Sequence, residues 1–120
     1  MINKNLSIIL PVFNEKESLL IMVRLLNSSL KINTEILIVH DNPTDNSLEA
    51  TEILKEEYKN VKVIHNQIGP GVKNAVQSGV NKAMYENILI TAVDEIFPII
   101  SIEKMLDEIL EKKVDFVSGT

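Results

Sequence analysis

Four short polar stretches hold the residues able to do chemistry, and each follows an apolar run. The last of them, Thr91-Ala92-Val93-Asp94-Glu95-Ile96-Phe97-Pro98, sets two adjacent carboxylates at the end of a very apolar segment. Oxygen ligands of that kind suit Mg or Mn, which take one or two carboxylates together with substrate phosphate oxygens. An acidic turn would also place Asp94 and Glu95 here, but neighbouring carboxylates repel, and a bound cation relieves the repulsion. The second stretch, His40-Asp41-Asn42-Pro43-Thr44-Asp45-Asn46-Ser47, offers Asp41 either as acceptor for a base or ribose or as the side chain of an Asx turn. In the third, Asn66-Gln67-Ile68-Gly69-Pro70-Gly71-Val72-Lys73-Asn74, glycines open a helix, so that backbone N–H groups and Lys73 can meet a phosphate. It is not the dinucleotide fingerprint, because Asn74 replaces the third glycine and the loop does not follow the first strand. Nor is it a Walker loop, which ends in Gly-Lys-Ser/Thr. The first stretch, Pro11-Val12-Phe13-Asn14-Glu15, reads as a rigid turn, with Asn14 capping a helix and Glu15 a favourable charge at its N-terminus. His40 and His65 have no acidic or Cys partner at ligand spacing and read as edge residues, and no Gly-x-Ser-x-Gly elbow occurs.

The elements that must position these stretches alternate between short Ile/Val-rich runs and longer runs of helical period, the pattern of a wound α/β sheet. Strands are predicted at 6–12, 35–40, 61–65, 88–93 and 115–118, nearly continuous in apolarity, as befits a mostly parallel sheet with helices on both faces. Helices are predicted at 16–30, 47–58, 72–84 and 101–112; Leu19, Met22, Val23 and Leu26 show the apolar spacing in the first. Asn14 with Glu17, and Asn46 with Glu49, have the spacing of capping boxes, and Ser101 supplies an N-cap hydroxyl. Gly79, inside the third helix, reads as a point of close approach to a neighbour. Pro11, Pro43, Pro70 and Pro98 each fall at or just after the end of one of the first four strands. All four polar stretches therefore belong to the C-terminal edge of the sheet, where open parallel sheets bind ligands at the crevice of reversed strand order.

Composition narrows the classes. The 120 residues are 45% hydrophobic and 24% charged, enough for one core and one domain, and contain no Cys, which excludes thiolate zinc, thiol nucleophiles and disulfide scaffolds. Twelve Lys+Arg against 17 Asp+Glu leave a net charge of −5, and the cations are dispersed among acids, against a nucleic-acid surface. The longest apolar run, Leu19 to Val23, is far short of the ~20 residues of a membrane span, and no signal-peptide pattern opens the chain. A cytoplasmic protein is expected.

With those segments placed, the chain is similar to the N-terminal part of a family 2 glycosyltransferase of GT-A (Rossmann-like) fold, in the branch resembling dolichol-phosphate mannose synthases. Ser7 to Glu15 resembles the opening strand and its Pro-x-aromatic-Asn-Glu turn; Glu35 to Ser47 resembles the second strand, which in the family usually ends in paired aspartates. Gly69-Pro70-Gly71-Val72-Lys73-Asn74-Ala75 resembles the third loop, Ile88 to Pro98 the metal-binding strand end, and Val114 to Gly119 the strand closing the nucleotide-binding half. The resemblance implies a donor domain over 1–120 that binds a nucleotide-diphosphate sugar, with the acceptor half and any catalytic base lying beyond it. Pro11, Phe13 and Glu15 would contact the nucleoside, Asp41 the base, Gly71 and Lys73 further parts of the donor, and Asp94 would be the last Asp of the Asp-x-Asp metal motif. A divalent cation, Mg or Mn, on Asp94 with Glu95 would stabilise charge growing on the leaving diphosphate, and the sugar would pass to a lipid-phosphate or glycan acceptor of the cell envelope. His40 stands where the first paired aspartate would be, and Ala92 where Asp-x-Asp would begin. These departures keep a second reading open, a catalytically inactive nucleotide-binding or assembly module of the same fold. Family members run to roughly twice this length, so a donor domain truncated before the acceptor half would expose surface that the missing half normally covers, and a homo-oligomer is one expectation.

Overall fold

Leu and Ile with scarcely a polar interruption make the first two strands the most buried of the described residues. Ile8, Ile9, Leu10, Ile36, Leu37, Ile38 and Val39 are all fully buried, which requires cover on both faces of the sheet. The computed structural model describes residues 5–93 and the backbone of 117–118. In chain order the elements are β1 (Asn5–Pro11), α1 (Lys16–Ser29), β2 (Asn33–His40), α2 (Ser47–Glu57), β3 (Val61–His65), α3 (Val72–Lys82), β4 (Ile88–Ile90) and β5 (Val117–Ser118). The sheet runs β3-β2-β1-β4-β5 with every pairing parallel. Chain order therefore reverses at β1, with β2 and β3 on one side and β4 on the other.

Side-chain alternation sorts the helices between the two faces. Leu6, Ile8, Leu10, Ile36 and Ile38 pack with Leu19, Met22, Val23 and Leu26 of α1 and Ala50 and Leu54 of α2. Ile9, Leu37 and Val39 point the other way, onto Ala75, Val80 and Ala83 on the α3 side. Each such Leu or Ile contributes roughly 1.5–3 kcal/mol by leaving water. Gly79 is the contact that brings α3 down: a Cβ built there would lie 2.7 Å from Ile9 Cγ2. The close approach read from sequence is thus a helix-to-strand contact.

Two expectations are corrected. The fourth strand, predicted at 88–93, leaves the ladder after Ile90, and the cause lies in β1. Ser7 N–H donates to Asn87 O and Ile9 O accepts from Thr91 N–H, so odd-numbered residues of β1 face β4. Pro11 is next in that row and has no N–H to give, so the two strands part there. Neither capping box forms, because α1 is N-capped at Glu15 and α2 at Asn46, both without a side-chain bond to their own helix. The predicted helix at 101–112, with its Ser101 cap, and the pair Asp94 and Glu95 lie outside the described residues.

Candidate functional site

Where β1 and β4 part, a cleft of about 490 Å³ opens, lined by Pro11, Val12, Phe13, Glu15, Asp41, Gly71, Val72, Ala75, Ile90, Thr91 and Ala92. It lies at the C-terminal ends of the strands and at the point of reversed order, the place open parallel sheets use for ligands, and its size is that of a small-molecule site. The chain exits of all four strands from β1 through β4 meet there, which explains why residues so far apart in sequence line one cleft.

The loops are held by one another. Asn14 N–H donates to Asp45 Oδ1 (2.9 Å), Glu15 N–H to Ser47 Oγ (2.8 Å) and Lys16 N–H to Asn46 Oδ1 (3.2 Å). In return Asn46 N–H donates to Asn14 Oδ1 (3.0 Å), and Ser47 N–H closes on Asp45 Oδ1 (2.7 Å). The polar residues that looked like caps of their own helices thus cap the neighbouring one, satisfying orphan N–H groups in trans. Asn14 takes φ 51° to do so, a left-handed conformation that Asn tolerates. Lys16 and Glu49 close the same corner at 2.8 Å, and their hydrogen bond and charge hold the Lys16 pKa up and the Glu49 pKa down. This clasp fixes the turn bearing Phe13 and Glu15 against the loop bearing Asp41.

The opposite wall is the start of α3. Gly71 caps it at φ 110°, a backbone that side-chain-bearing residues rarely adopt, and its N–H donates to Asp41 Oδ2 (3.3 Å). Val72 and Ala75 then face the cleft, while exposed Lys73, one residue round the helix from Val72, does not line it. Of the residues singled out from sequence, Pro11, Phe13, Glu15, Asp41 and Gly71 come together, Lys73 stands outside the wall, and Asp94 and Glu95 follow Thr91 and Ala92 beyond the described residues. His40 and His65 pair across β2 and β3 with ring centroids 4.8 Å apart, away from the cleft lining. Val72, Ala75, Ile90 and Thr91 on the cleft lining, and Asn66, whose buried amide reaches Asp41, did not stand out as site residues in the sequence. Asn66 carried the same signal as Asp41, a polar residue directly after a strand.

Chemically the cleft offers apolar surface from Pro11, Val12, Val72, Ala75, Ile90 and Ala92, an aromatic lip in Phe13 (72% exposed), and acceptors in Asp41 and Glu15. Such a wall accepts a planar, largely apolar ring that carries N–H donors. Glu15 Oε1 also accepts Phe13 N–H (3.1 Å), which tightens the turn at the lip.

The family model for glycosyl transferase family 2 matches residues 7–120. The chain belongs to glycosyl transferase family 2. Among curated relatives of this family member, glycosyltransferase GlyG of Streptococcus pneumoniae is 30% identical over 95% of the chain, and the dolichol-phosphate mannosyltransferase of Mycosarcoma maydis is 31% identical over 95%. The chain spans only 38% and 41% of the lengths of those two proteins. Among solved structures, the mannosyltransferase PcManGT of Pyrobaculum calidifontis, in complex with GDP-Man and Mn2+, superposes with a TM-score of 0.70 at 18% identity. That match covers 81% of the chain and 29% of PcManGT, and it shows that the family 2 chain has the α/β fold expected for it. Among the described residues no helix is long and apolar enough to cross a membrane.

Proposed function

We propose that this family 2 chain is the donor-binding part of a glycosyltransferase: it holds a nucleotide-diphosphate sugar, whose sugar passes to a lipid-phosphate or glycan acceptor. The observation that carries the reading is the convergence of Pro11, Phe13, Glu15, Asp41 and Gly71 on one cleft at the reversal of strand order. Phe13 and the apolar walls cover the nucleoside, Asp41 accepts from the base, and the α3 N-terminus at Gly71 favours the phosphate end of the ligand. The mannosyltransferase with GDP-Man and Mn2+ supports the ligand class, and the name of the Mycosarcoma maydis relative, a dolichol-phosphate mannosyltransferase, supports a lipid-phosphate acceptor.

A divalent cation fits the chemistry of this edge. The charged side chains lining the cleft, Glu15 and Asp41, are both acidic, and in sequence Asp94 and Glu95 follow β4 after Thr91, Ala92 and Val93. Asp94, with Glu95, would hold Mg or Mn, which when bound supplies Lewis-acid stabilisation of the departing diphosphate. Ala92 on the wall adds no ligand, and this favours the second reading, a module of the same fold that binds nucleotide without metal-assisted transfer.

Calorimetric titration of UDP, GDP and their sugar conjugates, with and without Mn, on this chain and on Asp94→Ala, tests both. Manganese-dependent binding that the variant loses supports the donor site; binding indifferent to Mn supports the second reading; no binding of any nucleotide overturns both.

A further inference from the structure

We propose that Asn66 is a positioning residue that fixes the hydrogen-bonding face of Asp41 toward the nucleobase. The inference rests on the donor-site reading above and adds to it a residue that does not touch the ligand.

Asn66 stands one residue beyond β3, only 6% exposed, and its N–H donates to His40 O (2.8 Å), prolonging the β2–β3 ladder to the level of Asp41. Its Nδ2 donates to Asp41 Oδ1 and to Gly69 O, both at 2.6 Å. Its Oδ1 accepts Ile68 N–H (3.1 Å) and Ser78 Oγ–H (2.8 Å). A primary amide has two N–H groups and two lone pairs, so all four valences are spent within the protein and none is left for a ligand. The amide orientation follows from its partners, since the Asp41 carboxylate and the Gly69 carbonyl can only accept.

The consequence falls on Asp41. Its carboxylate is exposed and lines the cleft, and an exposed Asp rotates freely unless held. Here Oδ1 is tied to Asn66 and Oδ2 to the Gly71 N–H, so each oxygen keeps lone-pair capacity on the side away from these donors. The same amide ties the Gly69–Gly71 turn and, through Ser78, α3 to the end of β2. One buried side chain thus sets the distance between the acceptor and the opposite wall. A carboxylate held in this way recognises a base edge presenting N–H groups and rejects one presenting acceptors.

The test is a double-mutant cycle on the 120-residue chain, with UDP, GDP and ADP titrated by calorimetry against wild type, Asn66→Ala, Asp41→Ala and the double variant, each checked for fold by circular dichroism. Each single change is expected to weaken binding of the preferred nucleotide ~10-fold and to reduce its preference over the others. The double variant is expected to lose clearly less than the two single losses combined, because Asn66 acts in large part through that carboxylate. Ser78→Ala, which loosens Asn66 without touching Asp41, gives a second measure should Asn66→Ala fold poorly: a smaller loss, ~3-fold, that shrinks when Asp41 is Ala. Losses that add, no loss at all, or an unchanged base preference overturn the inference while leaving the donor site intact. Wild type that binds no nucleotide overturns the donor-site reading and this inference together.

Discussion

Glu35 shows how one side chain can anchor a fold far from its site. Its carboxylate, 1% exposed at the start of β2, accepts from Ser7 Oγ (2.6 Å), Lys62 Nζ (2.7 Å) and the Met84 N–H, while Ser7 Oγ accepts Tyr85 N–H. Desolvation pushes its pKa up, but the hydrogen bonds from Lys62, Ser7 and Met84, with the Lys62 charge, outweigh it and hold the carboxyl below its ordinary range. A carboxylate with a lowered folded pKa stabilises the fold above the unfolded value, roughly 4.3, and that stability drains away as pH falls through the folded value. Glu35→Gln is expected to give a shallower acid limb in urea-unfolding free energy measured from pH 6 to 2, and an unchanged slope would show that the group does not drive acid unfolding. Glu35→Ala, which strips Ser7 and Met84 of their acceptor, is expected to cost about 2–4 kcal/mol in the same assay at neutral pH. Glu35 itself was visible in sequence only as the first residue of a strand, since nothing local to it announces that Ser7, Lys62 and Met84 will converge. Asp41 was legible because a lone acid after an apolar strand stands out, whereas Asn66, equally placed, looked like ordinary loop polarity.

At the scale of elements, the helices are positioned by two devices, and only one could be read locally. Gly79 signalled a close approach, and the structure names its partner as Ile9, fully buried and β-branched, so that it cannot swing aside. Gly79→Ala should therefore destabilise by about 1–3 kcal/mol despite the better helix propensity of Ala. Adding Ile9→Ala should cost less than the sum of the two single changes, because the methyl then has room; strict additivity in chemical denaturation would show that α3 and β1 do not meet there. The clasp between the α1 and α2 entries was not legible, because the Asn and Ser residues have the spacing of self-caps and only the parallel pairing of β1 with β2 brings them side by side. Asp45 is its centre, accepting from both Asn14 and Ser47, with its second carboxylate oxygen buried and without a protein partner among the described residues. Asp45→Ala should cost about 1–3 kcal/mol in thermal or urea unfolding. It should also weaken nucleotide binding, since the turn carrying Phe13 and Glu15 loses its hold; full affinity in a folded variant would show that the clasp serves stability alone. The fourth strand was read too long for a similar reason: its own residues are apolar throughout 88–93, and the limit is set by a proline on the neighbouring strand.

The whole molecule adds a constraint that no single element shows. A chain of net charge −5, with Glu15 and Asp41 on the wall of its cleft, is proposed to take up a polyanionic ligand. The α3 N-terminus offers roughly half a positive charge, too little to balance a diphosphate. On the proposed donor-site reading the nucleoside and the diphosphate would depend on different parts of the molecule: the nucleoside on the apolar walls and Asp41, the diphosphate on a cation that Asp94 and Glu95 would hold. Removing divalent ions with EDTA should accordingly lower affinity for UDP or GDP at least ~10-fold while leaving uridine or guanosine binding unchanged, and Asp94→Ala should reproduce the EDTA result in the presence of Mn. Raising salt should narrow the gap between nucleoside and diphosphate under EDTA, because screening relieves the repulsion that the missing cation no longer offsets. If UDP and uridine instead respond alike to EDTA, the charge balance is met elsewhere on the chain, and the assignment of Asp94 and Glu95 to a cation falls while the nucleoside wall stands.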